Sequence, residues 1–246
     1  MKRNLLVLMF IFGAISLIAQ NIFVPQPTPK RVLVSVFAGP TLDWVQPSTV
    51  EYELNTPSLG ARVGIPLEID LNKEAHYYLA TGVYLKWDQT SLRFPESYSI
   101  LNVVDTVTTN RYYSSFYLTI PTGIKIKTST FKKSVFGLNL GLYHSFFISG
   151  KSYDSFKLDG LSSLEPDYYS VTTSEIENKY CAMFKESVYG GIGYEYMIKP
   201  NLRAYIYANY VFTFTNFFNP NLFNSINQQK EQAITQSVEL IVGIGL

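Results

Sequence analysis

Between Ser58 and Ile69 the sequence alternates with a period of two. Leu59, Ala61, Val63, Ile65, Leu67 and Ile69 interleave with Ser58, Gly60, Arg62, Gly64, Pro66 and Glu68. Successive side chains point to opposite faces in an extended strand, so one face of this segment is apolar and the other polar. The pattern recurs. Tyr77, Leu79, Val83, Leu85 and Trp87 stand opposite His76, Tyr78, Gly82, Tyr84 and Lys86. Val238, Leu240, Val242, Ile244 and Leu246 stand opposite Ser237, Glu239, Ile241, Gly243 and Gly245. Lys125 and Arg203 fall on the polar stripes of two further segments. The periodicity predicts eight strands, near 32–42, 57–69, 75–87, 112–127, 134–147, 182–197, 201–214 and 232–246. Each is about as long as a tilted strand needs to cross a bilayer, or slightly longer.

The breaks between these strands fall into two alternating classes. Those around Asp70–Glu74, Ser129–Lys133 and Lys199–Asn201 are short, and those around 43–56, 88–111, 148–181 and 215–231 are long and polar. Short turns alternating with long loops predict an all-β, eight-stranded antiparallel up-and-down transmembrane β-barrel. Its short turns and both chain ends are expected on the periplasmic side and its long loops outside. A soluble barrel with its apolar stripe inward would alternate in the same way. The glycines distinguish the two. Gly60, Gly64, Gly82, Gly137, Gly141, Gly191, Gly193, Gly243 and Gly245 all fall on the polar stripe. Glycine only weakens a solvent-facing strand, whereas a narrow interior needs small residues beside bulky ones. The polar stripe is therefore read as the lumen. It carries a charged network of Arg62, Glu68, Lys86, Lys125, Glu195, Arg203 and Glu239, with Tyr78, Tyr84, Tyr117, Tyr189, Tyr205 and Tyr207 around it. Tight turns would set Glu195 opposite Arg203 and Glu68 opposite His76. Trp87, Phe146, Phe212 and Phe214 on the apolar stripe, toward the long loops, are expected at one membrane interface. Tyr77, Tyr194 and Tyr196, toward the short turns, are expected at the other.

The first residues read as an export signal. Lys2 and Arg3 precede an apolar run from Leu5 to Ile18, and Ala19 offers a small residue for cleavage before Gln20. The expected organisation is a signal peptide over 1–19, a Pro-rich lead-in over 20–31 and the barrel over 32–246. No later apolar run is long enough for a membrane helix, so insertion would use strands. Charged residues make up 16% of the chain against about a quarter in ordinary soluble domains, and the net charge is +1. That balance gives no basic surface for a nucleic-acid partner. The single Cys181 excludes an intrachain disulfide framework, and no Cys stands near the cleavage point to carry a lipid anchor.

Catalytic and metal chemistry find little support. His144 and Ser145 are adjacent and so face opposite sides of a strand, and His76 lies near a short turn. Asp154, Asp159, Glu165, Asp167, Glu175 and Glu177 make one long loop acidic without the spacing of a calcium loop. No phosphate-loop or dinucleotide fingerprint occurs, so no cofactor and no enzymatic activity are expected. Cys181 reads as a packed small residue rather than a reactive thiol.

Three segments resemble the small outer-membrane barrels known as the PorT-like or porin family, related in architecture to OmpA-type barrels. They are Phe37-Ala-Gly-Pro-Thr-Leu42, Phe116-Tyr-Leu-Thr-Ile-Pro-Thr-Gly-Ile-Lys125 and Gly191-Ile-Gly-Tyr-Glu-Tyr196. The chain departs from many such barrels in ending on Leu246 rather than an aromatic residue. The resemblance implies outer-membrane residence and, for some members, a part in secretion or assembly machinery. Asp105-Thr106-Val107 also resembles the acceptor for O-glycosylation in bacteria with such proteins. Two functions stay open. One is an anchor whose long loops contact other envelope proteins, with outer-membrane lipid around the barrel. The other is a narrow pore for ions or small solutes. Eight strands favour the anchor, because they enclose little more than their own side chains.

Overall fold

The computed structural model describes residues 32–48, 52–54, 56–72, 76–100, 103–156, 169–171, 181–218 and 232–246. The expected signal peptide and lead-in lie outside them. Ten strands form: β1 (Val32–Pro47), β2 (Glu53–Leu54), β3 (Ser58–Asp70), β4 (Tyr77–Ile100), β5 (Val103–Lys127), β6 (Ser134–Phe156), β7 (Tyr169–Val171), β8 (Phe184–Lys199), β9 (Leu202–Thr213) and β10 (Ala233–Gly245). Eight of them close a ring in the order β1–β3–β4–β5–β6–β8–β9–β10 and back to β1, every pair antiparallel. This is the expected eight-stranded up-and-down barrel.

The registers fix its shape. From Lys185 on β8, successive cross-strand partners are Ser145, Thr119, Tyr84, Gly64, Phe37, Gly243 and Tyr205, and the row returns to β8 at Glu195. One circuit therefore advances ten residues along the strand, which is the shear of the barrel. With ~3.3 Å per residue and ~4.8 Å between strands, the strands tilt by about 41° around a backbone radius of roughly 8 Å.

The apolar stripes face outward. Val36, Val63, Val83, Ile124, Leu140, Ile192, Ile206 and Val242 are 43–58% exposed, while Arg62 and Glu239 on the other stripe are buried. Aromatics bound this outer wall. Toward the long loops, Trp87 stacks on Phe116 and Phe146 leans on Phe184. Phe214 is exposed and Phe212 half-buried at the same end. Toward the short turns stand Tyr77, Phe136, Tyr194 and Tyr196, with Phe136 and Tyr194 in ring contact. Phe136 and Phe146 are ten residues apart on β6, which at this tilt spans roughly 25 Å, the height of an outer-membrane hydrocarbon band.

Several boundaries differ from the sequence reading. Residues 88–111 are not a polar loop: β4 continues to Ile100 and β5 begins at Val103, paired throughout. β6 likewise runs on to Phe156, where β7 joins its edge. β1 continues through Asp43 to Pro47. Polar residues in these stretches signal the end of the membrane, not of the strand, because cross-strand hydrogen bonds persist in water. The result is a sheet of β4, β5 and β6 that rises past the rim by roughly 30–40 Å, taking ~3 Å per residue from Trp87 to Ile100. Thr106 lies in β5 opposite Ser97, so the tripeptide that resembles a glycosylation acceptor stands in this sheet rather than in a loop.

Two registers also differ. Glu68 faces Ala80, not His76, because the connection after Asp70 is wider than a tight turn. Glu195 faces Tyr205, and Arg203 faces Met197, because an irregularity between Met197 and Lys199 shifts the pairing. Both offsets are even in residue number, so every side chain keeps its face.

Candidate functional site

The lumen is filled in four layers. Nearest the short turns, five charged side chains from four strands converge. Lys125 and Lys127 on β5 reach Glu68 at 2.7 and 2.6 Å and Glu195 at 3.4 and 3.0 Å. Arg203 donates one guanidinium nitrogen to Glu68 at 3.0 Å and the other to Glu195 at 2.8 Å. The Tyr207 hydroxyl donates to Glu195 at 2.8 Å, and the Lys127 ammonium lies over the Tyr78 ring. Three cations meet two carboxylates, so this layer carries a formal charge of +1.

Aromatic rings form the second layer. Phe37 meets Tyr84 edge-on, Tyr84 meets Tyr143, and Tyr143 stacks on Tyr189 with centroids 4.1 Å apart. Tyr205 and Tyr207 meet edge-on in the same buried cluster. The glycines of the polar stripe make the room. A methyl group at Gly193 would land on the Tyr207 ring, one at Gly64 on Tyr84, and one at Gly243 on Tyr205.

A second charged layer follows. Arg62 donates to Glu239 at 2.7 Å and lies over the Tyr143 ring. Lys86 binds Asp43 at 2.9 Å and Asp88 at 2.6 Å, and Lys185 binds Asp88 at 3.4 Å. Three cations here match three carboxylates. The Lys185 ammonium also faces the rings of Tyr117 and Phe217.

Above it, the long-loop end is closed by an apolar layer of Val45, Tyr52, Leu92, Phe94, Tyr113, Cys181, Phe217, Phe218 and Ala233, all buried. Tyr52, Cys181, Phe217 and Phe218 come from segments read as loops, and they turn inward. Backbone bonds Ala182 N to Phe217 O and Phe217 N to Ala233 O hold them there, at 2.9 and 2.7 Å.

All seven residues expected in the charged network, and all six expected tyrosines, are buried inside the barrel. Glu195 and Arg203 are in contact although not directly opposite. Asp43, Asp88, Lys127, Lys185 and Tyr143 belong to the same layers and were not anticipated. Lys127, one step beyond Lys125, and Lys185, on the same stripe as Tyr189 and Glu195, share the luminal parity, so following each stripe to the end of its strand would have found them. Asp43 and Asp88 each lie one residue beyond the strand ends read from sequence.

His144 points outward beside Glu186, and Ser145 points inward to Thr119 at 2.9 Å, so the two do not meet. The His76 Nδ1 lies 3.1 Å from the Lys127 carbonyl oxygen. Among the described residues no three His, Cys, Asp or Glu side chains converge as a metal site. Asp159, Glu165, Asp167, Glu175 and Glu177 lie outside those residues. Burial pushes the Cys181 thiol up, and the Ser115 hydroxyl lies 3.9 Å from its Sγ.

Among solved structures, the chain is similar to Ail, the attachment invasion locus protein of Yersinia pestis. That match has 13% identity and a TM-score of 0.35, covering 88% of this chain and 100% of that one. Neisserial surface protein A matches at 12% identity and a TM-score of 0.41, covering 88% and 97%. The outer membrane protease OmpT from Escherichia coli matches at 9% identity and a TM-score of 0.39, covering 92% and 99%. No curated protein sequence matches the chain. The family model of the outer membrane protein beta-barrel domain matches residues 19–219, and with the closed barrel and its two aromatic girdles this places the chain in that family.

Proposed function

We propose that the protein is a non-enzymatic anchor of the bacterial outer membrane that presents its projecting sheet to other envelope proteins. We read residues 1–19 as its cleaved signal peptide, and its relatives as the PorT-like barrels, some of which serve secretion or assembly complexes. The filled lumen carries this reading. Among the described residues, two ion-paired layers, a tyrosine layer and an apolar cap occupy the interior of a barrel of roughly 8 Å backbone radius. The structural investment lies instead in β4, β5 and β6, which outrun the bilayer. Orientation follows from the turns, with the short ones periplasmic and the sheet outside.

The test compares the wild type with a variant in which residues 92–111 are replaced by a two-residue turn. Both would be extracted in mild detergent, and their co-purifying proteins identified. The expected result is a partner retained by the wild type and lost from the shortened barrel. The same wild-type protein should give no stepwise currents in a planar lipid bilayer. Stable single-channel currents would replace the anchor by the pore.

A further inference from the structure

Between the two aromatic girdles, the outward stripe of the described strands carries one ionisable pair. His144 on β6 and Glu186 on β8 are direct cross-strand partners, with Nδ1 3.2 Å from Oε1. They are half-buried at 29% and 33% side-chain exposure. Toward the long loops the next outward pair is Phe146 and Phe184; toward the short turns it is Leu142 and Val188. Ionisable groups on a lipid-facing wall are costly and mark function by default.

A groove of about 430 Å³ begins beside Leu142 and Val188. Ile124, Leu140, Leu142 and Val188 wall it, and the backbone of Gly123 and Gly141, paired across β5 and β6 with their inner face against Tyr189, forms its floor. Gly190, outward on β8 opposite Leu140, adds no side chain to fill the space. The groove opens on the hydrocarbon band, so its natural occupant is an acyl chain.

The polar pair selects the head group. A carboxylate only accepts, so the His144 Nδ1–H donates to Glu186. The other carboxylate oxygen of Glu186 is left to accept from a head group. An ammonium supplies both N–H donors and a charge complementary to the carboxylate. We propose that this wall binds one lipid with a primary ammonium head group, its acyl chain in the groove and its ammonium on Glu186. The proposal rests on outer-membrane residence.

The test uses purified barrel and native mass spectrometry with phosphatidylethanolamine, phosphatidylcholine and phosphatidylglycerol of identical acyl chains. Phosphatidylcholine keeps the positive charge but lacks N–H donors, and phosphatidylglycerol is anionic. Phosphatidylethanolamine should be retained about tenfold more strongly than either, the ratio one charge-assisted hydrogen bond supplies. Glu186→Gln should remove that preference, and Val188→Trp should weaken all three lipids by filling the groove. Both positions face lipid, and folding is checked by gel mobility without heating. Equal retention of the three lipids by a barrel that inserts into vesicles overturns the lipid site alone. Failure to insert overturns membrane residence with it. A dimer abolished by Val188→Trp, in place of a lipid adduct, assigns the groove to a second copy and overturns the proposal.

Discussion

Replacing Glu239 by alanine would strand a cation inside the barrel. Glu239 is fully buried, and its Oε2 is the carboxylate oxygen that holds Arg62 at 2.7 Å. Lys86, 4.0 Å from the other oxygen, keeps Asp43 and Asp88 and loses little. Arg62 has no second carboxylate within salt-bridge reach among the described residues. Breaking a buried pair from one side costs about 3–5 kcal/mol, because the remaining charge stays desolvated. At about 1.4 kcal/mol per power of ten, the folding constant falls by two to three and a half powers of ten. The measurement is reversible urea unfolding in lipid vesicles, followed by tryptophan fluorescence and by the gel shift of the folded form. Arg62→Leu together with Glu239→Leu removes both charges and should return to within about 1 kcal/mol of the wild type. A loss below about 1 kcal/mol for Glu239→Ala would mean that water reaches Arg62, and the dry-lumen argument would fall. A double variant as unstable as the single one would show that pairing is not what the site supplies.

Two further outcomes follow from the same layers. In the layer nearest the short turns, Lys127→Met leaves two cations for two carboxylates, while Glu195→Gln leaves three cations for one; Glu195→Gln should be the more destabilising by at least ~1 kcal/mol in the same unfolding assay. The reverse order would mean the surplus charge is neutralised in some other way. Cys181 is packed within the apolar cap with its thiol pushed up by burial, so at pH 8 its thiolate fraction is below that of a free cysteine. Maleimide should label it slowly in the folded barrel, faster in Phe217→Ala/Phe218→Ala, and at once after denaturation. Equal rates in folded and unfolded protein would show that the cap does not close.

The faces of the strands were readable because parity survives every error of length. Glu68 and Glu195 were given the wrong cross-strand partners, yet both registers slipped by an even number of residues, so both carboxylates kept their place inside. Strand ends were not readable. Asp43 and Asp88 follow Leu42 and Trp87, where the hydrocarbon band stops, and a charged residue at that point looks like a loop. It is instead a luminal residue on a strand that continues into water. The apolar cap was hidden for a different reason. Tyr52, Phe217 and Phe218 sit in stretches with no periodicity, and only the packing of several such stretches over one rim reveals that they share a core. The His144–Glu186 pair could be seen as two outward polar residues, but their contact depends on the β6–β8 register, which no local pattern contains.

The seam where β1 meets β10 has a consequence for how this chain must acquire its structure. Arg62 and Glu239 are 177 residues apart in sequence, and Ser35 and Arg203, also bonded, are 168 apart. Contacts at such separation carry a large loop-closure entropy and form late. Until the last strand docks, both β1 and β10 are bare edges, and Arg62 has no counter-ion. Closure therefore joins the hydrogen bonds of the seam and the Arg62–Glu239 pair in a single event. A chain halted before Ala233 has no half-built barrel to rest in, only an open sheet with an orphaned arginine on its concave side.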